Sequence, residues 1–258
     1  MENNLFDYRQ SIGKMGGKFD HIYCLGDIHG RIPIILESLK EEAEKEDIAV
    51  ILLGDVGANY YGGAKDHWFK TKLNNLGVRF YCLRGNHERH PKDVLNMNVV
   101  RDLYTEGLVY WEEEYPNLLY LVDGETYEFN DIVCLALGGA YSVDKWHRLE
   151  RGWHWFANEQ IEEYDREAIK LETAGNFYDV VLSHTSPYSW QPTDLFIDAV
   201  DQNTVDNSME WWLEEMSDNI SWGKWLCGHF HETRYLREGV AMMLSNDYLL
   251  DLEEWYNN

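Results

Sequence analysis

Metal-capable side chains recur along this 258-residue chain in short blocks, most of them next to a glycine. Gly26-Asp27-Ile28-His29-Gly30 comes first, followed by Gly54-Asp55, Gly85-Asn86-His87-Glu88, Ser183-His184 and Gly228-His229-Phe230-His231. Asp, Asn and His make a mixed oxygen and nitrogen donor set, which suits Mn, Fe, Zn or Co and is unlike an all-oxygen calcium site. Two carboxylates and several imidazoles exceed what one catalytic ion with an open position needs. They suit two ions about 3.5–4 Å apart that share a carboxylate and a water. Each block alone has an ordinary reading. Asp after Gly is turn chemistry, and Asn86 could cap a helix. The metal reading rests on all the blocks together, in this order and each after an expected strand.

Those strands can be read from the hydrophobic pattern. His21–Leu25 is one, and Ile48–Leu53 is a continuous apolar run of the kind a strand buried on both faces shows. Val78–Leu83 is a third, and the apolar spacing between Pro33 and Glu46 predicts an amphipathic helix. Strand and helix alternate at this spacing in parallel βαβ units. Leu118–Val122, Glu125–Phe129 and Ile132–Leu137 are separated by Asp123-Gly124 and Asn130-Asp131, which predicts an antiparallel meander. A helix over Asn158 to Thr173, capped by Asn158, follows. Val180–Leu182, Trp225–Cys227 and Val240–Leu244 resume strands, with a helix over Val205–Met216 between them. Each metal-capable block therefore falls at the carboxyl end of a strand, where open α/β sheets place ligand sites. Gly26, Gly54, Gly85 and Gly228 let the backbone turn sharply there. The expectation is one α/β domain over residues 1–258 with mixed sheets, residues 1–18 being a peripheral segment.

Composition narrows the function. Asp and Glu number 46 against 22 Lys and Arg, a formal net charge of −24. That disfavours a protein that tracks long nucleic acid, which starts from a positive face. A bound metal can still invert the field inside one cleft and admit a small anion. Cys24, Cys82, Cys134 and Cys227 lie far apart in apolar runs and read as buried thiols rather than a disulfide framework. No segment has the apolar length of a signal peptide or a membrane span, so a cytoplasmic protein without a membrane partner is expected.

With these blocks in order, the sequence resembles the calcineurin-like metallophosphoesterases, whose signature runs D-x-H, GD, GNH[E/D], a lone His, and GHxH. Here these are Asp27-Ile28-His29, Gly54-Asp55, Gly85-Asn86-His87-Glu88, His184 and Gly228-His229-Phe230-His231, from residue 26 to residue 231. The resemblance implies a four-layer α/β/β/α sandwich. It also implies two divalent or trivalent transition-metal ions, manganese first, with iron, zinc or cobalt also fitting. Asp27, His29 and His231 would bind one ion and Asn86, His184 and His229 the other, with Asp55 bridging. His87 would sit beside the leaving group as general acid. The protein phosphatases of this superfamily usually continue the second block as GD-x-x-D-R-G, whereas this chain reads Gly54-Asp55-Val56-Gly57-Ala58-Asn59. The Asp that orients the catalytic His and the Arg that grips phosphate are thus both missing. Arg84, in Leu83-Arg84-Gly85-Asn86-His87-Glu88, and Arg31 are candidate phosphate clamps, and Asp66 could stand in for the missing Asp.

The expected activity is hydrolysis of a phosphomonoester or phosphodiester by hydroxide generated at the metal pair, the bridging water's pKa falling toward about 7. A nucleotide or another small phosphoester is the expected substrate. A protein Ser/Thr phosphatase is the alternative, and a metal-stabilised module that sequesters a phosphorylated ligand is the non-enzyme reading. The stretch from Trp146 to Trp155, with Arg148 and Arg151, reads as a loop pinned to the core by its tryptophans. A base-stacking loop is its functional alternative.

Overall fold

In the computed structural model, which describes residues 17–258, Ile48–Leu52 (β2) is buried at every position, as its unbroken apolar run requires. It lies in the middle of one of two mixed sheets. His21–Leu25 (β1) and Arg79–Cys82 (β3) flank it in parallel, and Leu118–Leu121 (β6) runs parallel beyond β3. Leu108–Trp111 (β5) and Asn98–Arg101 (β4) extend one edge antiparallel, and Leu250–Asp251 (β13) closes the other. The second sheet has its own parallel centre, formed by Ile132–Leu137 (β8), Phe177–Ser183 (β9), Ser221–Cys227 (β10) and Ala241–Met243 (β12). Thr126–Phe129 (β7) and Arg234–Arg237 (β11) are its antiparallel edges.

The two sheets pack through Ile22, Cys24, Ile51, Tyr81, Phe129, Val180 and Leu226, all fully buried. Each such side chain contributes about 1.5–3 kcal/mol by leaving water. Gly63–Asn74 (α3) lays Phe69 and Leu73 on the outer face of the first sheet, against Val50 and Phe80. Glu163–Thr173 (α5) and Ser208–Asn219 (α6) cover the second with Ile169, Trp212, Leu213 and Met216. The layers are therefore helix, sheet, sheet, helix. Register decides where the chemistry falls. Leu25 pairs with Leu52, Leu52 with Cys82, and Leu182 with Leu226, so the strands of each parallel centre end level. The blocks that follow them then emerge together.

Several local expectations are corrected. The helix expected from Pro33 to Glu46 forms as two short pieces, Ile34–Glu37 (α1) and Lys40–Ala43 (α2). Between them the Ser38 hydroxyl bonds back to the Ile35 carbonyl at 2.8 Å, a local competitor of helix geometry. The expected meander is split, because β6 and β7 belong to different sheets and only Asn130-Asp131 joins paired strands. Asp123 does not make a hairpin turn; its carboxylate takes the Arg84 guanidinium and the Gly138 amide. Asn158 is not a cap: α5 starts at Glu163, and Asn158 donates its amide to Asp93. The four cysteines are free and buried, and no helix among the described residues is long and apolar enough to cross a membrane.

Candidate metal centre

The loops after β1, β2, β3, β9 and β10 converge across the top of the two sheets, and their backbones are bent to do so. Asp27, His29, Asp55, His229 and His231 all have positive φ, between 46° and 72°. Such non-glycine conformations cost roughly 1–3 kcal/mol each and persist where the surroundings over-determine them. The surroundings here are one interlocked set of hydrogen bonds. Asp27 accepts the His229 amide at 2.9 Å, and Asp55 Oδ1 accepts the His87 amide at 2.8 Å. The Asp55 carbonyl takes the His29 amide at 2.8 Å. Glu88, buried, accepts from Gly85 N at 2.7 Å and Gly57 N at 3.2 Å, tying the second loop to the third.

Two groups of ligand atoms result. Asp27, His29, Asp55 and His231 present atoms within 4.8 Å of one another, and so do Asp55, His184 and His229. Asp55 belongs to both. Its Oδ2 lies 3.7 Å from His29 Nε2 and its Oδ1 3.5 Å from His184 Nε2. Asn86 joins the second group, its Oδ1 2.9 Å from His184 Nε2. The amide is turned that way because Nδ2 donates to Ser142 Oγ at 2.9 Å, which in turn donates to Glu159 at 2.6 Å. His184 Nδ1 donates to the Leu53 carbonyl at 2.7 Å, leaving Nε2 directed at the centre.

This donor set fits cations. Asp27 and Asp55 are buried side by side among imidazoles. Burial, and after it the charge of Asp55, pushes Asp27 above the usual carboxylate range. Asp55 is held well below that range by His184 and His87, although burial works against it. Burial also lowers His29 to about 4 and His229 to about 3, so both rings are neutral, as metal ligands must be. His184 is the exception. Burial would lower it, but Asp55 and then Asp27 raise it to about 9, so this ring answers the negative charge of the two carboxylates.

Gly54 allows the closest approach. Its φ is +90°, and a Cβ there would lie 2.1 Å from His184 Nδ1. Gly54→Ala is therefore expected to displace His184 from the Leu53 carbonyl. It should lower stability by about 1–3 kcal/mol and empty the half of the centre that His184 serves. Thermal melting and elemental analysis check it; unchanged metal content would show that the approach is not needed.

All seven expected ligands are thus brought together, and His87 lines the same cleft. The two expected arginines are not. Arg84 is buried, paired with Asp123 at 2.9 Å and donating to the Asn158 and Glu159 carbonyls. Arg31 is exposed and, among the described residues, its side chain has no hydrogen bond or ion pair. Asp66 does not reach His87 either; it accepts the Tyr61 and Gly62 amides at the start of α3. The arginine at the centre is Arg148, on Lys145–Arg151 (α4). Its Nη2 lies 2.6 Å from His87 Nδ1 and 3.0 Å from Nε2, and Asp144, Tyr60 OH and the His154 carbonyl hold it in place. This segment is anchored by that buried arginine and by half-buried Trp155, whose indole nitrogen is enclosed, whereas Trp146 is 65% and Trp153 50% exposed. Nothing in the spacing sets Arg148 apart from Arg151.

The sequence profile for calcineurin-like phosphoesterases matches residues 21–233. The chain belongs to this family. A calcineurin-like phosphoesterase is a metal-dependent hydrolase whose centre is typically binuclear, in keeping with the carboxylate common to both ligand groups. Among solved structures, the crystal structure of TT1561 of Thermus thermophilus is similar, at 14% identity over 92% of this chain and 96% of that one, with a TM-score of 0.47. A second is 13% identical over 90% of this chain and 95% of its own, with a TM-score of 0.48. No curated protein matches the sequence.

Proposed function

We propose that the chain hydrolyses a small phosphoester, a nucleotide in the first instance, at two transition-metal ions of which manganese is the best fit. The observation that supports it is Asp55, shared by two converging groups of Asp and His donors at the strand ends of both sheets. Asp27, His29 and His231 would hold one ion and Asn86, His184 and His229 the other. Bound there, the pair would supply positive charge for the phosphate oxygens and activate a water for in-line attack. Arg148 is the residue placed to donate to the phosphate from the protein side, with its guanidinium already fixed and desolvated. His87, next to it, is the proton donor for the departing oxygen.

The strong net negative charge of the chain supports a small substrate over long nucleic acid or an acidic protein segment, since repulsion acts over about 8 Å at physiological salt. Chelation is the direct test. Exhaustive dialysis against EDTA should abolish turnover of nitrophenyl phosphomonoesters and phosphodiesters. Mn²⁺ should restore it more fully than Ca²⁺, because an imidazole-rich set favours first-row transition ions. Turnover that persists once the metal is shown to be gone would end the proposal.

A further inference from the structure

Two clefts meet at His87, and they differ in chemistry. The first is a cavity of about 360 Å³ that reaches the centre through Asp55, Asn86, His229 and His231. Away from those donors its wall is largely apolar, built from Phe196, Val200, Val205 and Phe230. Val143, Leu195 and Ile197 carry that wall to the surface, where they are 37%, 36% and 58% exposed. Apolar side chains exposed together beside a polar centre mark a ligand groove. The acidic and amide side chains around the cavity are engaged elsewhere. Asp144 takes the Arg148 guanidinium at 2.7 Å, Gln191 donates to Asn207 at 3.3 Å and Gln202 to the Val200 carbonyl at 3.3 Å. Glu210 is buried against the Thr185 side chain. No Lys or Arg lines this cavity.

The second cleft, of about 510 Å³, reaches the centre through His29 and holds Arg148. Tyr60, Tyr61, Trp153 and His154 line it, and no Asp or Glu does, in a chain that carries 46 of them. It suits an anion with a ring attached. Trp153 is its most open ring at 50% exposure, since Lys65 Nζ already lies 3.2 Å over Tyr61. A phosphomonoester has one organic group and would leave one of the two clefts empty. A phosphodiester has two, one on each side of phosphorus. The apolar cavity favours a substituent without polar groups, because a hydroxyl or amide brought there loses water and gains no partner. The aromatic cleft favours a ring, which stacks.

We propose that the substrate is a phosphodiester that straddles His87, with an apolar alkyl substituent in the first cavity and a ring-bearing one, such as a nucleoside, in the second; the assignment rests on the phosphoesterase reading. A water oxygen bonds to phosphorus, one P–O ester bond breaks, and the departing oxygen takes a proton from His87, which the water's proton restores. An alcohol and a phosphomonoester result. Nitrophenyl alkyl phosphodiesters, from methyl to hexyl, test this on the full chain with added Mn²⁺. Their kcat/KM is expected to rise roughly fourfold per methylene until the cavity is filled. The hexyl diester should exceed nitrophenyl phosphate at least tenfold. Val205→Trp, which fills the cavity, and Ile197→Asp, which puts a charge on its exposed rim, should each flatten the rise, with thermal melting confirming that both fold. Trp153→Ala should instead lower the whole series about tenfold, the scale of a lost stacking partner. A flat series, a rise that survives both cavity variants, an unchanged series in Trp153→Ala, or a preference for the monoester would each overturn the assignment. Titration calorimetry with the same esters separates the two readings. Binding that tightens with chain length, without any turnover, would keep the cavity assignment and bring down the phosphoesterase reading; neither binding nor turnover would sink both.

Discussion

Asp55→Asn is expected to cost the protein both halves of its metal centre, with turnover falling on the order of 10³-fold, the scale of losing a fixed charge-stabilising group. Each carboxylate oxygen faces a different set of donors, Oδ2 toward His29 and Oδ1 toward His184. An amide keeps the shape but has one oxygen and no charge, so one of the two sets would face an N–H₂ group. The loss also reaches His184, whose raised pKa depends on that carboxylate. Elemental analysis of wild type, Asp55→Asn and His29→Ala separates a bridge from an ordinary ligand. The His29 variant should lose one ion and keep the other, whereas the Asp55 variant should fall below one ion per chain. Full occupancy of both sites in Asp55→Asn would remove Asp55 from the bridging role.

That these donors gather in one place was legible in the sequence because the blocks that carry them are local. Each donor block follows an apolar run, and strand registers such as Leu25 with Leu52 are enough to bring the blocks together. The buried run of β2 and the Asn130-Asp131 turn were legible for the same reason: pattern and turn chemistry act over a few residues. Residues whose role comes from distant partners were not. Arg84 and Arg148 each have a leucine on one side only, Leu83 and Leu149, and only the fold pairs one with Asp123 and sets the other against His87. Asp123-Gly124 has the composition of a hairpin turn, but the chain there crosses between sheets because Asp123 is engaged by Arg84 and Gly138.

His87 and Arg148 are expected to fail in different ways when removed, and the contrast tests which end of the scissile bond each serves. In the family's protein phosphatases a carboxylate orients this His; here the partner is a guanidinium, which only donates hydrogen bonds. The imidazole nitrogen facing it must present a lone pair, so His87 rests neutral. Burial and the Arg148 charge together lower its pKa against the opposing pull of Asp55. A phosphate arriving beside Arg148 would draw the guanidinium to its oxygens; the freed ring, now beside added negative charge, would take up a proton from water and carry it to the leaving group. His87→Ala should keep both metals and lose turnover on the order of 10²–10⁴-fold for alkyl phosphoesters, the range for a positioned general acid. The loss should shrink for nitrophenyl esters, whose leaving groups need little protonation. Arg148→Met should instead lower kcat/KM by roughly 10²-fold across the whole series, because a charge on the phosphate is needed whatever departs. Steady-state kinetics over alkyl to nitrophenyl leaving groups, with metal content measured alongside, distinguish the two patterns. A uniform loss in His87→Ala, or a leaving-group-dependent loss in Arg148→Met, would exchange or void the roles assigned to them.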